Sequence, residues 1–281
     1  MKEYLQLGKV SIILPVSFTA FTGYVLFHSS INLNALLVTL AVFLLGIASS
    51  ALNQIQEKDK DAMMERTSNR PLSSEKLPVS LAYIFVLFSF IAGNILLFFF
   101  GNLTAVFLGI FTIVWYNGLY TPLKRKTAFA VIPGSLTGAM PPMIGWTAAG
   151  GAIMDYHILL LAFILFMGQI PHFWLLINMY GEQCRKAGFP NLSDIFESDQ
   201  IKRLNFIWII AAIFCALLLP LFSMENPIYK YMMFCLVSFF SVIFIIPLFK
   251  SKMKYKKMHF ILLNSFFLVL MIILILDELK S

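Results

Sequence analysis

The chain has 281 residues, is 59% hydrophobic and 12% charged, and carries a formal net charge of +7, with a pI near 9.3 and a mean hydropathy of +0.83. Ordinary soluble domains are about 25% charged, so this composition excludes a soluble enzyme and points to an integral membrane protein. Stretches of roughly 20 apolar residues, the length that crosses a bilayer, recur along the whole chain, which predicts a polytopic bundle rather than one cleaved signal segment.

Nine spans are predicted, near 9–27, 34–52, 77–99, 104–120, 128–148, 157–178, 204–222, 229–249 and 258–276. No linker or shift of composition divides them, so residues 1–281 are read as a single all-α domain. The N-terminus and the breaks at 53–76, 121–127, 179–203 and 250–257 hold all of the Lys and Arg except Lys230 and Lys280. Positive loops mark the cytoplasmic side of the plasma (inner) membrane. That bias accounts for the basic pI through anionic lipid, without nucleic acid, and KSKMKYKK (250–257) reads as such a loop. The opposite-side turns HSSINLN, GNLT, AGGAIMDY and FSMENPIY are short and nearly uncharged.

After the second span comes the densest ionic stretch, NQIQEKDKDAMMERTSNRPL (53–72). If the helix continues past the span, Asn53, Glu57 and Asp61 fall at i, i+4 and i+8 and share one face, with Asp59 turned away. Three oxygen donors on one face suit a hard cation such as Mg²⁺, which uses one or two carboxylates plus substrate phosphates. A solvated helix whose acids and bases neutralise one another is the plainer reading of this stretch alone. In YNGLYTPLKRK (116–126), Tyr116, Tyr120 and Lys124 repeat the same spacing, with Arg125 and Lys126 beside them. Lys offers phosphate a compact charge and Arg a planar fork; topology explains the bases but not the tyrosines.

The fifth span, VIPGSLTGAMPPMIGWTAAGG, carries Pro133, Pro141, Pro142 and several glycines, which predicts a broken, cavity-lining helix. Gly134 and Gly138 form a small-xxx-small pair suited to close helix packing. In the sixth span Gln169, His172 and Asn178 are expected to face the interior, and Pro171 to disrupt the ladder by clashing with the Met167 carbonyl. Cys184, Cys215 and Cys235 show no paired spacing and the four His are scattered, so no disulfide, zinc or haem-iron role is assigned.

The run N-x-x-x-E-K-D-K-D-A-x-M-E-R-T-x-N-R-P, with YTPLKR, PGSLTGAMPPMIGW and IPHFW, resembles the UbiA-type intramembrane prenyltransferases, in the branch that farnesylates haem. The resemblance spans most of the chain. It implies a UbiA-like bundle of about nine helices whose active site opens to the cytoplasmic side, Mg²⁺ as cofactor, farnesyl diphosphate as donor and haem B as acceptor. It further implies that Asn53, Glu57 and Asp61 bind diphosphate through Mg²⁺, with Glu182 as a further metal ligand. Arg66, Arg70, Tyr120, Lys124 and Arg125 would hold diphosphate oxygens, Lys124 taking part in catalysis, and His172 and Glu182 would contact substrate. A haem product would supply haem-copper oxidase assembly. There are departures: Glu57 stands where the family usually has Asp, and in GEQCRKAGFPNLSD Gln183 and Cys184 replace an expected Asp-Tyr, while Asn191 and Ser193 interrupt a usual Met-Leu-Pro. A second metal would then depend on Glu182 and Asp194. A sister enzyme acting on a quinone precursor shares the donor chemistry; a transporter is disfavoured because the polar residues gather at one membrane face, not at the midplane.

Overall fold

The computed structural model is all-α and describes residues 1–245 and 253–280. In chain order its helices are α1 (Lys2–Leu7), α2 (Val10–His28), α3 (Leu33–Gln56), α4 (Lys58–Ala62), α5 (Val79–Phe100), α6 (Leu103–Ile113), a π-helix (Val114–Tyr120), α7 (Thr121–Leu123), α8 (Val131–Ala148), α9 (Tyr156–Lys186), α10 (Ser198–Cys215), α11 (Leu218–Phe222), α12 (Pro227–Ile245) and α13 (Met253–Glu278). Of the expected loop at 250–257, residues 250–252 lie outside the described residues, and from Met253 onward the chain is already helical in α13.

The uncharged turns at one end of the bundle start helices by the same local chemistry. The N–H groups of Ala35, Ala105, His157 and Ile228 donate to the side chains of Asn32, Asn102, Asp155 and Asn226 at 2.9–3.0 Å. Each such cap satisfies one of the N–H groups that a first turn leaves unpaired, contributing about 1 kcal/mol.

Eight helical segments among the described residues are long and apolar enough to cross a membrane. Their outer faces expose large side chains such as Phe88, Phe99 and Phe107, as a lipid-facing surface requires. The segment outside that set is α8, the least apolar of the nine expected spans. It is not broken as its prolines predict: α8 is a continuous helix in which 13 of 18 residues are buried. Prolines and glycines are tolerated in such a helix because neighbouring helices surround it.

Two apolar cores share α8. Met140 and Met143 pack with α9, α10, α12 and α13, while Ile144 and Ala148 pack with α2, α3, α5 and α6. α13 returns to α2 and closes the bundle. The close approach is made by Gly23 and Gly145: a Cβ on Gly23 would land on the Pro142 carbonyl oxygen, and one on Gly145 on that of Ala20. Gly134 and Gly138 serve differently from the expected small-xxx-small contact, making room for the Tyr120 ring and the Gln169 side chain. Pro171 leaves α9 unbroken as well; the non-helical residue inside α9 is Tyr180 (φ −118°, ψ 19°).

Gly145→Ala is expected to cost about 1–3 kcal/mol through overpacking against backbone that cannot rotate away. Gly118→Ala, whose nearest neighbour would be Val114 Cγ1 at 3.9 Å, is the control. Thermal unfolding in detergent should place Gly145→Ala well below Gly118→Ala; equal midpoints would contradict the packing described.

Candidate functional site

At the charged end of the bundle, α3 ends at Gln56 and Glu57 takes a non-helical conformation (φ −112°, ψ 11°) before α4 begins. The expected uninterrupted helix through 53–61 is therefore broken at Glu57. The register nevertheless survives, because Glu57 N–H donates to Asn53 O at 3.0 Å and Asp61 N–H to Glu57 O at 2.8 Å. Asn53, Glu57 and Asp61 are all buried, 2%, 4% and 2% exposed, while Asp59 is exposed as its helical angle requires.

Burying carboxylates costs several kcal/mol each unless cations and hydrogen bonds compensate. Distant parts of the chain supply both. Lys124 Nζ donates to Glu57 Oε2 at 2.7 Å, and Arg70 Nη1 donates to Asp61 Oδ2 at 2.5 Å. Asn53 Nδ2 donates to Glu57 Oε2 (3.1 Å) and to Thr121 Oγ1 (3.3 Å). Glu57 Oε1 is buried and has no hydrogen-bond partner among the described residues.

Lys124 reaches Glu57 through a local anomaly. Residues 114–120 form a π-helix rather than the α-helix that the Tyr116, Tyr120, Lys124 spacing predicts. Such segments are rare and often mark functional sites. The three side chains still share a face: the tyrosine rings lie 5.3 Å apart, and Lys124 Nζ sits 5.4 Å from the Tyr120 ring. Asn117 clasps the π-helix to the end of α3. Its Oδ1 accepts from Ser49 Oγ (2.7 Å), its Nδ2 donates to Gln56 Oε1 (3.1 Å), and Gln56 Nε2 donates back to Asn117 O (3.0 Å).

The remaining expected residues are placed unevenly. Arg125 is exposed and donates to the Gln56 carbonyl, capping α3 beside the acids. Arg66 lies 4.8 Å from the Tyr180 ring, and its N–H donates to Gln183 Oε1 at 3.1 Å. Gln183, where the sequence departs from an acid, thus ties α9 to the 63–70 turns. Glu182 is exposed, and among the described residues no three His, Cys, Asp or Glu are grouped to hold a metal. His172 packs 4.6 Å from the Phe260 ring on α13 and 5.8 Å from the Phe173 ring. The segment after α9 covers the site instead: Lys60 Nζ donates to Ala187 O at 2.7 Å, and the Phe189 ring lies 5.3 Å from Lys60 Nζ and 5.9 Å from Lys124 Nζ.

Lys9 is the residue that sequence reasoning counted only as topology. It sits between α1 and α2 in the left-handed region (φ 49°, ψ 45°) and donates to Asn53 Oδ1 at 3.2 Å. Burial, then repulsion from Arg70 and Lys124, lowers its ammonium to about 7. A cation at the first residue of an apolar run was the available signal, though nothing local shows that it turns inward.

The arrangement joins two buried carboxylates and an amide to cations on either side, at the end of a lipid-embedded bundle. Asn53, Glu57 and Asp61 form a hard-oxygen set, and the unpartnered Glu57 Oε1 fits a divalent ion. Two carboxylates, not three, is the usual protein share for Mg²⁺ beside phosphate.

Residues 16–271 match the model of the UbiA prenyltransferase family. The protoheme IX farnesyltransferase of Geobacter sulfurreducens is 35% identical over 230 residues, covering 80% of this chain and 83% of that one. Among solved structures, a UbiA homolog from Aeropyrum pernix K1 superposes with a TM-score of 0.78 at 15% identity, over 95% of this chain and 98% of that one. A UbiA homolog from Archaeoglobus fulgidus, solved bound to GPP and Mg²⁺, gives 0.71 at 14% identity, over 97% and 99%.

Removing Lys124 should strand a buried carboxylate. Lys124→Met is expected to lower stability by about 3 kcal/mol, and adding Glu57→Gln should recover most of that loss. Thermal midpoints of the four proteins of this double-mutant cycle check it; strictly additive losses would show that the pair contributes nothing.

Proposed function

Because the chain belongs to the UbiA prenyltransferase family, we propose that it transfers the farnesyl group of farnesyl diphosphate to a vinyl group of haem B. The observation that carries this reading is the buried Asn53, Glu57 and Asp61 face held between Lys124 and Arg70. The naming of relatives at about 35% identity as protoheme IX farnesyltransferases supports the donor and the acceptor. The Lys and Arg bias supports a multi-pass protein of the plasma membrane with this end in the cytoplasm.

Asn53, Glu57 and Asp61 would hold Mg²⁺, the ion with which the Archaeoglobus fulgidus homolog was solved. When bound, the ion supplies positive charge next to the leaving diphosphate. Lys124 and Arg70 each hold one carboxylate and are placed to turn to diphosphate oxygens. The transfer breaks the C1–O bond of the donor, and the electrons leave with the diphosphate. A haem vinyl attacks the allylic cation, and water adds to the resulting carbocation with loss of a proton, giving a hydroxyethylfarnesyl substituent. Tyr116, Tyr120 and Phe173 form an aromatic wall beside the cations, with Tyr120 and Phe173 rings 5.8 Å apart. Such faces stabilise a carbocation and keep water from trapping it early. Preorganised charge is the main catalytic contribution.

Purified protein incubated with Mg²⁺, haem B and farnesyl diphosphate should yield the mass of haem O, and EDTA should abolish it. Asp61→Asn should cut turnover by about a hundredfold or more at unchanged protein abundance. Wild-type turnover by Asp61→Asn would remove the acid face from catalysis; prenylation of a quinone precursor and not of haem would change the acceptor.

A further inference from the structure

Beside the acid face, the structure has a cavity of about 630 Å³ between α1, the start of α2 and the 66–71 turn. Four cations line it, Lys2, Lys9, Arg66 and Arg70, and no Asp or Glu does. Arg70 is paired with Asp61. Lys2, Lys9 and Arg66 have no carboxylate at ion-pairing distance among the described residues. Arg66 instead rests on an aromatic ring and Lys9 on a neutral amide oxygen. Cations gathered in a cleft without acids create a positive potential that a bound anion relieves.

The rest of the lining says what kind of anion. Along α2 the wall is apolar, and Ile12 and Leu14 are 60% and 55% exposed, so the cavity opens sideways toward lipid while its cations stand at the aqueous end. That suits an amphiphile with a broad apolar body and anionic groups at one edge. A volume of this size lies within the usual range for small-molecule sites. Lys9 also ties the cavity to the chemistry, because its ammonium touches Asn53.

We propose that this cavity is the acceptor subsite and that Lys2, Lys9 and Arg66 bind the acceptor's two carboxylates. This rests on haem B being the acceptor. Haem B carries two propionates on the edge opposite its vinyl groups, so anchoring the propionates among the cations leaves the vinyl edge free to meet the prenyl group. Charge-assisted bonds to Lys and Arg orient the plate, while the apolar flank of α2 covers its face. Arg66 then serves the acceptor rather than the diphosphate.

The test compares protohaem with its dimethyl ester, which keeps the macrocycle and vinyls but lacks the negative charges. Kd from absorption titration and KM from turnover are measured for the full chain in phosphatidylcholine nanodiscs, for wild type and for Lys2→Gln, Arg66→Gln and the double variant. Wild type should bind protohaem about tenfold more tightly than the ester, equivalent to one charge-assisted hydrogen bond. The double variant should bind both alike, with KM for farnesyl diphosphate unchanged. Lys2→Gln, on the exposed first helix, gives a partial effect without risk to folding. Equal affinity of wild type for protohaem and ester, with product formed from both, overturns the subsite while leaving haem as the acceptor. Binding of neither overturns both readings. If phosphatidylglycerol nanodiscs block protohaem from wild type but not from the double variant, while the ester binds as well as protohaem in phosphatidylcholine, the cavity seats a lipid headgroup and the proposal fails.

Discussion

Two carboxylates buried at the end of a lipid-embedded bundle are the feature around which the charged half of the molecule is organised. Neither Glu57 nor Asp61 tolerates burial alone, and each is compensated by one cation: Lys124, 67 residues further along the chain, and Arg70, nine residues on. Bringing Lys124 to Glu57 needs the segment after α6 to arrive at a particular angle. The π-helix and the Asn117 clasp to Ser49 and Gln56 supply it. Local backbone irregularity, tertiary hydrogen bonding and electrostatics thus express one constraint.

The same cations have a second use. In the structure they neutralise the acids; in the proposed reaction they are the cations placed to turn to the diphosphate. A site that exchanges internal ion pairs for ligand contacts stays compensated in both states, which avoids leaving a buried charge unpaired at any point. Glu57 Oε1, with no hydrogen-bond partner among the described residues, is a buried carboxylate oxygen that can accept such a partner. Lys9 extends the arrangement by linking the acid face to the cationic cavity beyond it.

Away from the charges, α8 holds the halves together. Its glycines and prolines suggest weakness when read along the chain. Between α2 and α9 they permit contacts that a larger residue would block, with Gly145 against the Ala20 carbonyl and Gly134 beneath the Tyr120 ring. Gly134 also links packing to chemistry, because it lets Tyr120 lie under Lys124.

The all-α membrane fold, the helix positions and the acid face were legible in the sequence, for a physical reason. Apolar length and the 3.6-residue period act locally, and a short polar break between apolar runs permits few structures. The shared face of Asn53, Glu57 and Asp61 is of this kind, since the register survives the break at Glu57. What the sequence could not determine depends on contacts between residues far apart in the chain: the pairing of Lys124 with Glu57, the inward turn of Lys9, and Gln183 acting as a tie to the 63–70 turns. Prolines misled for the same reason. Pro141, Pro142 and Pro171 predict local breaks, and only the surrounding helices, which a linear reading does not contain, keep α8 and α9 helical through these prolines. Glu182 is exposed, which its neighbours in sequence do not show, because exposure is a property of the folded surface. Sequence by itself determined which residues could carry charge into the membrane edge; the tertiary structure decided which of them meet, because the energy of a buried charge is set by what lies within a few ångströms in space.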